Sequence, residues 1–166
     1  MKKITLFALV VFTVGMLGCN NANQEIKTVV ESFYKNYTAD HNSAKTSLLS
    51  ANLSKLLSGT IKKEKASEEA ILKSTHPTDK PDLIEGDIFS SLYEGPTSVS
   101  VEKIKIDRDT LSVTANFKNV TYKTSWQDEI LLIKEKSWKI DNIIYKGESP
   151  IGSDAKKVLK DFIKGG

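Results

Sequence analysis

One cysteine, Cys19, and two histidines, His41 and His76, are all that this chain of 166 residues offers of the side chains that most often build metal sites and nucleophilic triads. A single thiol closes no disulfide within the chain. Two widely separated histidines supply neither a zinc cage nor a triad base without partners placed near them. Both are therefore expected as solvated loop residues, and no metal or other cofactor is expected. Missing too are a glycine-rich phosphate loop, a Gly-x-Ser-x-Gly elbow and a His-Glu-x-x-His helix, the short patterns whose geometry serves phosphate, acyl or zinc chemistry. Neither an internal repeat nor a low-complexity tract occurs. Charge of one sign is not massed, since 24 basic residues face 21 acidic ones for a net +3. Nucleic-acid binders draw affinity from concentrated Lys and Arg, so no nucleic-acid partner is expected.

The N-terminus, by contrast, is strongly patterned. Lys2 and Lys3 precede an uncharged apolar run from Ile4 to Val14, and Gly15 breaks it. A basic segment followed by an apolar one is the order of a secretory signal. The stretch up to Leu17 is shorter than the ~20 residues a membrane-spanning helix needs. It leads into Met16-Leu17-Gly18-Cys19, which resembles a bacterial lipobox, with Met16 where leucine is usual and Leu17 where a smaller residue is usual. The resemblance implies that residues 1–18 are a lipoprotein signal peptide and that Cys19 is acylated, palmitate included. The membrane is then a partner through the N-terminal lipid. Asn20 stands where aspartate would act as an inner-membrane retention signal in enterobacteria, so the expected address is the outer membrane, facing the periplasm. Residues 19–23 are polar and read as a tether. Residues 24–166 are of a size for one domain, large enough to bury a core without disulfides.

Within that domain, Ile26, Val29, Val30, Phe33, Tyr34 and Tyr37 recur at helical spacing over Gln24 to Tyr37, one face of an amphipathic helix. Asp40 to Ser43 breaks the pattern. A second helix is predicted over Ala44 to Leu57 with Gly59 as its C-cap glycine, and a third over Lys62 to Lys73. Ser74 to Pro96 carries loop punctuation, with a short helical turn expected near Ile88 to Leu92. From Thr97 the apolar period becomes two. Val99 and Val101 are out of phase with Ile104 and Ile106, which predicts a bulge near Glu102-Lys103. Asp107-Arg108-Asp109 reads as a turn, and Leu111, Val113, Ala115 and Phe117 then alternate with polar residues. Strands over Tyr122 to Ile133 and Ser137 to Tyr145 form a hairpin through Lys134 to Lys136. In the last strand Trp138, Ile140 and Ile144 are expected on one face, with Trp138 the foremost core candidate, and Ile143 and Tyr145 on the other. A helix from Asp154 to Lys164 closes the chain, its lysines on a solvated face. The class is α+β, with N-terminal helices packed on one face of a curved antiparallel four-strand meander and a short C-terminal helix.

Asp79, Asp82, Glu85 and Asp87 are the densest acids. They do not fit a calcium loop, which wants acids at alternate positions, then glycine, then a distant glutamate. Asp82 and Asp87 are expected to cap or hydrogen-bond instead. Tyr34, Tyr37, Tyr93, Tyr122, Trp126 and Trp138 are read as core and rim aromatics with polar tips in water. Pro81 to Gly95 is too apolar for a solvated linker. Leu83, Ile88, Phe89 and Leu92 are predicted to pin it across the open end of the cone, leaving Tyr93 and Trp126 at the rim as contacts for a ligand or partner; the alternative is that the loop merely plugs the sheet and the pocket is filled. No catalytic residue and no metal ligand is assigned.

Phe33-Tyr34 and Tyr37 in a first helix, the loop Lys80 to Leu92, a strand meander and the closing Ser137-Trp138-Lys139-Ile140-Asp141-Asn142-Ile143 are together similar to an uncharacterised family of bacterial envelope proteins, many of them lipoproteins, classed as a domain of unknown function. The resemblance spans Gln24 to Tyr145 and implies a nuclear-transport-factor-like, or cystatin-like, cone. It brings no catalytic residues. The expected function is a membrane-anchored, non-catalytic domain binding an envelope protein or a small ligand. The alternatives are a pocket enzyme of isomerase or hydrolase type and an inhibitor or immunity-type protein. A buried carboxylate with a raised pKa in the cone would favour the enzyme, and a broad exposed apolar patch the binding module.

Overall fold

The computed structural model describes residues 16–107, 110–147 and 151–165. The basic and apolar segments of the expected signal peptide, up to Gly15, lie outside the described residues, as do Arg108 and Asp109 of the expected turn. Among the described residues three α-helices and four strands follow the order α1 (Met16–Tyr34), α2 (Ala51–Leu72), β1 (Ser98–Asp107), β2 (Thr110–Asn119), β3 (Thr124–Lys134), β4 (Trp138–Tyr145), α3 (Ala155–Lys164). The fold is α+β. No described helix is long and apolar enough to cross a membrane.

The apolar stripe of α1 is buried as its spacing requires, with Ile26, Val29, Val30, Phe33 and Tyr34 inside and Tyr37 just past the helix end. The helix also runs back through residues 19–23, so the segment expected as a tether is helical here. Neither proline nor glycine interrupts it between Gly18 and Gln24, and adding turns to a nucleated helix costs little.

Two expected helices are in fact one. α2 starts at Ala51, capped by the Ser50 hydroxyl, which accepts the Leu53 N–H, and continues to Leu72. The residues before it form short 3-10 turns at His41–Ser43 and Thr46–Leu48. Gly59 is therefore an interior residue rather than a C-cap. A β-carbon there would lie 3.2 Å from Cδ1 of Ile163, so the glycine lets α3 approach α2 closely. α3 itself begins as predicted, with Asp154 accepting the Lys157 N–H across 2.9 Å.

The four strands pair antiparallel in the order β1-β2-β3-β4. Leu111, Val113, Ala115 and Phe117 of β2 are fully buried, so this face carries the core and the helices cover it. The register of β1 shifts between Val101 and Lys103, the bulge that the change of phase predicts. A second shift lies between Leu131 and Leu132, where Asn142 and Ile140 are the opposing residues and Asp141 is extra. It reverses the later phase of β4. Ile140, Ile143 and Tyr145 share the core face, and Ile144 turns away, opposite Glu129. The predicted grouping of Ile144 with Trp138 and Ile140 is thus corrected. Trp138 is only half-buried, at the end of the sheet, with the Lys134 ammonium 5.0 Å from its ring centroid.

The two sheet edges differ. β4 is covered by bridges from Leu49 to Ile140 and from Asp154 to Ile144. Among the described residues β1 has β2 as its sole neighbour in the sheet.

Candidate functional site

The connection from α2 to β1 is bent and irregular throughout, without the helical turn expected near Ile88 to Leu92. Its backbone is instead set by hydrogen bonds to two buried acids. Asp87 receives the Tyr37 hydroxyl at 2.5 Å and the Phe89 N–H at 2.7 Å on Oδ1, and the Ser90 hydroxyl at 2.5 Å on Oδ2. Asp128, on the core face of β3, receives the Ser91 N–H at 2.8 Å and the Trp126 indole N–H at 3.0 Å on Oδ2. Its Oδ1 takes the Lys146 N–H at 2.9 Å and the Ser91 hydroxyl. Both carboxylates are 1 % exposed. Two further tyrosines reach the loop's own carbonyls, Tyr34 to Phe89 O at 2.6 Å and Tyr145 to Ile88 O at 2.7 Å.

Between these polar pins Ile88 and Phe89 fill the space under the sheet, each with no exposed surface. The Phe89 ring meets Phe33 at 5.1 Å and Tyr37 at 5.5 Å, both edge to face, the favoured geometry for ring quadrupoles. The predicted pinning is correct for these two residues. Leu83 is 45 % exposed and pins nothing, because the chain there is held by the Ile84 N–H on Glu64 Oε1 at 2.9 Å. Leu92 is half-buried at the edge of a cleft of about 310 Å³, together with Ser91, Thr124, Trp126 and Gly147.

Trp126 is half-buried and stacks on Phe117 at 5.5 Å. Tyr93 is 47 % exposed and lies outside the cleft, its ring resting on Gly86. Gly86 has φ +82°, and a β-carbon there would come within 2.5 Å of that ring, so glycine is required on both counts. Val120 and Tyr122, in the β2–β3 turn, add exposed apolar surface at the same end of the sheet.

Electrostatics set the two acids apart from ordinary carboxylates. Burial pushes Asp87 up to about 6, against the lowering effect of the Ser90, Tyr37 and Phe89 donors, and the charge of Asp128 adds to the rise. Tyr34, Tyr37 and Tyr145 are all held well above the usual phenol range, first by burial and then by the Asp87 charge. A proton on Asp87 near neutral pH is what a general acid or base wants. Yet both its oxygens are engaged by the chain's own donors and shielded from solvent. In this conformation the carboxylate holds the loop and is closed off from solvent.

His41 departs from expectation. It is buried, and its Nε2 lies 2.8 Å from Oε2 of buried Glu64 on α2. His76 is exposed. Asp79, Asp82 and Glu85 are exposed, Asp82 is tied through its N–H to the Ser67 hydroxyl at 2.8 Å, and Asp87 makes the hydrogen bonds expected of it. Among the described residues no three His, Cys, Asp or Glu side chains gather as metal ligands would. Cys19 lies within α1, and its side chain is outside the described residues. Asp128 is the site residue that the sequence reading missed. The signal is a charged residue at a core-parity position of β3, between Trp126 and Ile130.

No family model, curated protein or solved structure matches the chain.

Proposed function

We propose that this chain is an envelope lipoprotein, anchored through an acylated Cys19, whose single domain binds a protein or small ligand without catalysis. The observation that carries the reading is the occupied interior. Ile88 and Phe89 take the space a substrate pocket would need, and the acids beneath are spent on holding them. Recognition then falls to the outer rim, where Tyr93 combines apolar area with one polar atom and Trp126, its indole N–H held by Asp128, offers apolar area. Anchor and rim sit at opposite ends of the domain. Glu25, near the start of α1, meets Lys134 at 3.1 Å, and Trp126 lies about 26 Å back along β3 at ~3.3 Å per residue. A partner can engage the rim while the lipid holds the other end. The nuclear-transport-factor-like kinship suggested by the sequence belongs to this same proposal.

One observation favours a second reading, a pocket enzyme: Asp87 is a buried carboxylate pushed up to about 6 beside Tyr37. That reading requires the Asp87–Tyr93 segment to open, and it ranks second for that reason.

Metabolic labelling with a palmitate analogue tests the anchor. The full chain should take up label and sediment with membranes, and Cys19→Ser should do neither. Continued labelling of Cys19→Ser sinks the anchor. Affinity purification of the detergent-extracted full chain tests the rim. Tyr93→Ala and Trp126→Ala should deplete co-purifying molecules while the melting temperature of Tyr93→Ala holds, and an unchanged set in both variants rejects the rim.

A further inference from the structure

The free edge of the sheet carries a pattern that is complementary to itself. β1 is ten residues long, Ser98–Asp107, so its midpoint falls between Glu102 and Lys103. Read outward from that point, Val101 and Val99 on one side answer to Ile104 and Ile106 on the other, and all four lie on the core face of the sheet. The bulge makes this possible. In an unbulged strand of the same sequence, Val101 and Ile104, three residues apart, would point to opposite faces. Glu102 and Lys103 at the centre carry opposite charge and are both exposed. Among the described residues Lys103 enters no ion pair.

We propose that two copies of this chain join β1 to β1 antiparallel, about a two-fold axis between Glu102 and Lys103, into one continuous eight-stranded sheet. In that register Val101 faces Ile104 of the second copy and Val99 faces Ile106. Each Glu102, whose Oε2 also accepts the Gln127 amide N–H at 2.5 Å, meets the Lys103 of the other chain. Opposite charges directly across an antiparallel pair are favourable, and like charges are not. A bulge and lysines on a bare edge ordinarily deter pairing with a stranger strand. Here the bulge sits on the symmetry point and the central lysine meets a glutamate, so the edge rejects other strands while accepting its own copy.

The surroundings fit this occupant. Ile106 is 69 % exposed although it shares the core face. Two open clefts run between α1 and β1 on that face, of about 480 Å³ beside Val99 and about 510 Å³ beside Val101 and Ile104. The isoleucines of the second copy enter them. An axis normal to the sheet keeps both α1 helices on one side of the joined sheet.

The experiment is sedimentation equilibrium of the full chain in density-matched detergent, with zero-length carbodiimide cross-linking of the same sample. We expect a dimer, and a covalent species of twice the chain mass whose linked peptide joins Glu102 to Lys103. Lys103→Glu places Glu102 against a second glutamate and should raise the dissociation constant at least about tenfold, with the circular dichroism of the fold unchanged because the residue is exposed. Exchanging both, Glu102→Lys with Lys103→Glu, should restore the dimer. A wild-type chain that stays monomeric at about 100 µM overturns the proposal. So does a dimer indifferent to Lys103→Glu, or a double exchange no tighter than the single change. Loss of the rim or of the lipid would leave these results unaltered.

Discussion

The Tyr37 hydroxyl donates to Asp87 Oδ1 across 2.5 Å, joining the end of the first helix to a loop 50 residues later. That bond, with those from Phe89 and Ser90 to the same carboxyl, fixes the segment whose apolar side chains fill the interior. A phenol is a suitable donor at such a place because burial keeps it protonated, and its ring packs edge to face on Phe89.

Asp87 gives the fold a pH dependence of definite sign. Its carboxyl stands at about 6 when folded, against 3.8 when free. The native state therefore holds the proton more tightly. The associated stability is fully present below pH 3.8 and is lost as pH rises through about 6. Over that window the loss is on the order of 3 kcal/mol. Asp40, Glu129 and Asp154 are shifted down and act oppositely, so the readout is the difference between wild type and Asp87→Asn in urea melts from pH 4 to 7. The variant should lack this falling component, and parallel profiles for the two proteins would refute the assignment.

Phe89→Ala should destabilise by about 3–5 kcal/mol, the range for emptying a buried aromatic site. Leu83→Ala should change stability by no more than about 0.5 kcal/mol, since the residue is exposed and touches no special feature. Chemical denaturation of both variants distinguishes a plug made by Phe89 from one spread along the whole loop.

Trp138 and Ile140 should rank opposite to their sizes. Ile140 has no exposed surface, and its truncation to Ala should cost about 2–5 kcal/mol. Trp138 is half-buried beneath the Lys134 ammonium, and Trp138→Ala should cost about 1–2 kcal/mol, near the centre of ordinary point changes. A larger loss at Trp138 than at Ile140 would contradict the register of β4.

Gly59→Ala should raise stability by about 0.5–1 kcal/mol, the gain of alanine over glycine inside a helix. The new methyl meets the end of the Ile163 side chain at 3.2 Å, and that side chain is 38 % exposed, with room to yield. Gly59→Leu should instead lower the melting temperature by forcing α3 off α2. Thermal melts of the two variants settle whether the glycine serves the helix or the helix pair.

Much of this protein could be read from its residues alone, wherever local periodicity and burial agree. The stripe of α1, the alternation of β2, the bulge near Glu102 and the start of α3 at Asp154 all follow from the spacing of apolar and polar residues, because each depends on the chain within a few positions. The α+β class follows from the order of those periods. Other features depended on neighbours remote in sequence. Gly59 reads as a helix end until α3 is laid against it, and Ile144 reads as core until Asp141 is seen to bulge. His41 reads as solvated until Glu64 arrives from the next helix. The site divides the same way. The apolar character of Ile88 and Phe89 announced a pinned loop. Which acids hold it was decided by the meeting of α1, β3 and β4 around Asp87 and Asp128, since a buried carboxylate is tolerated only where donors from several elements converge on it.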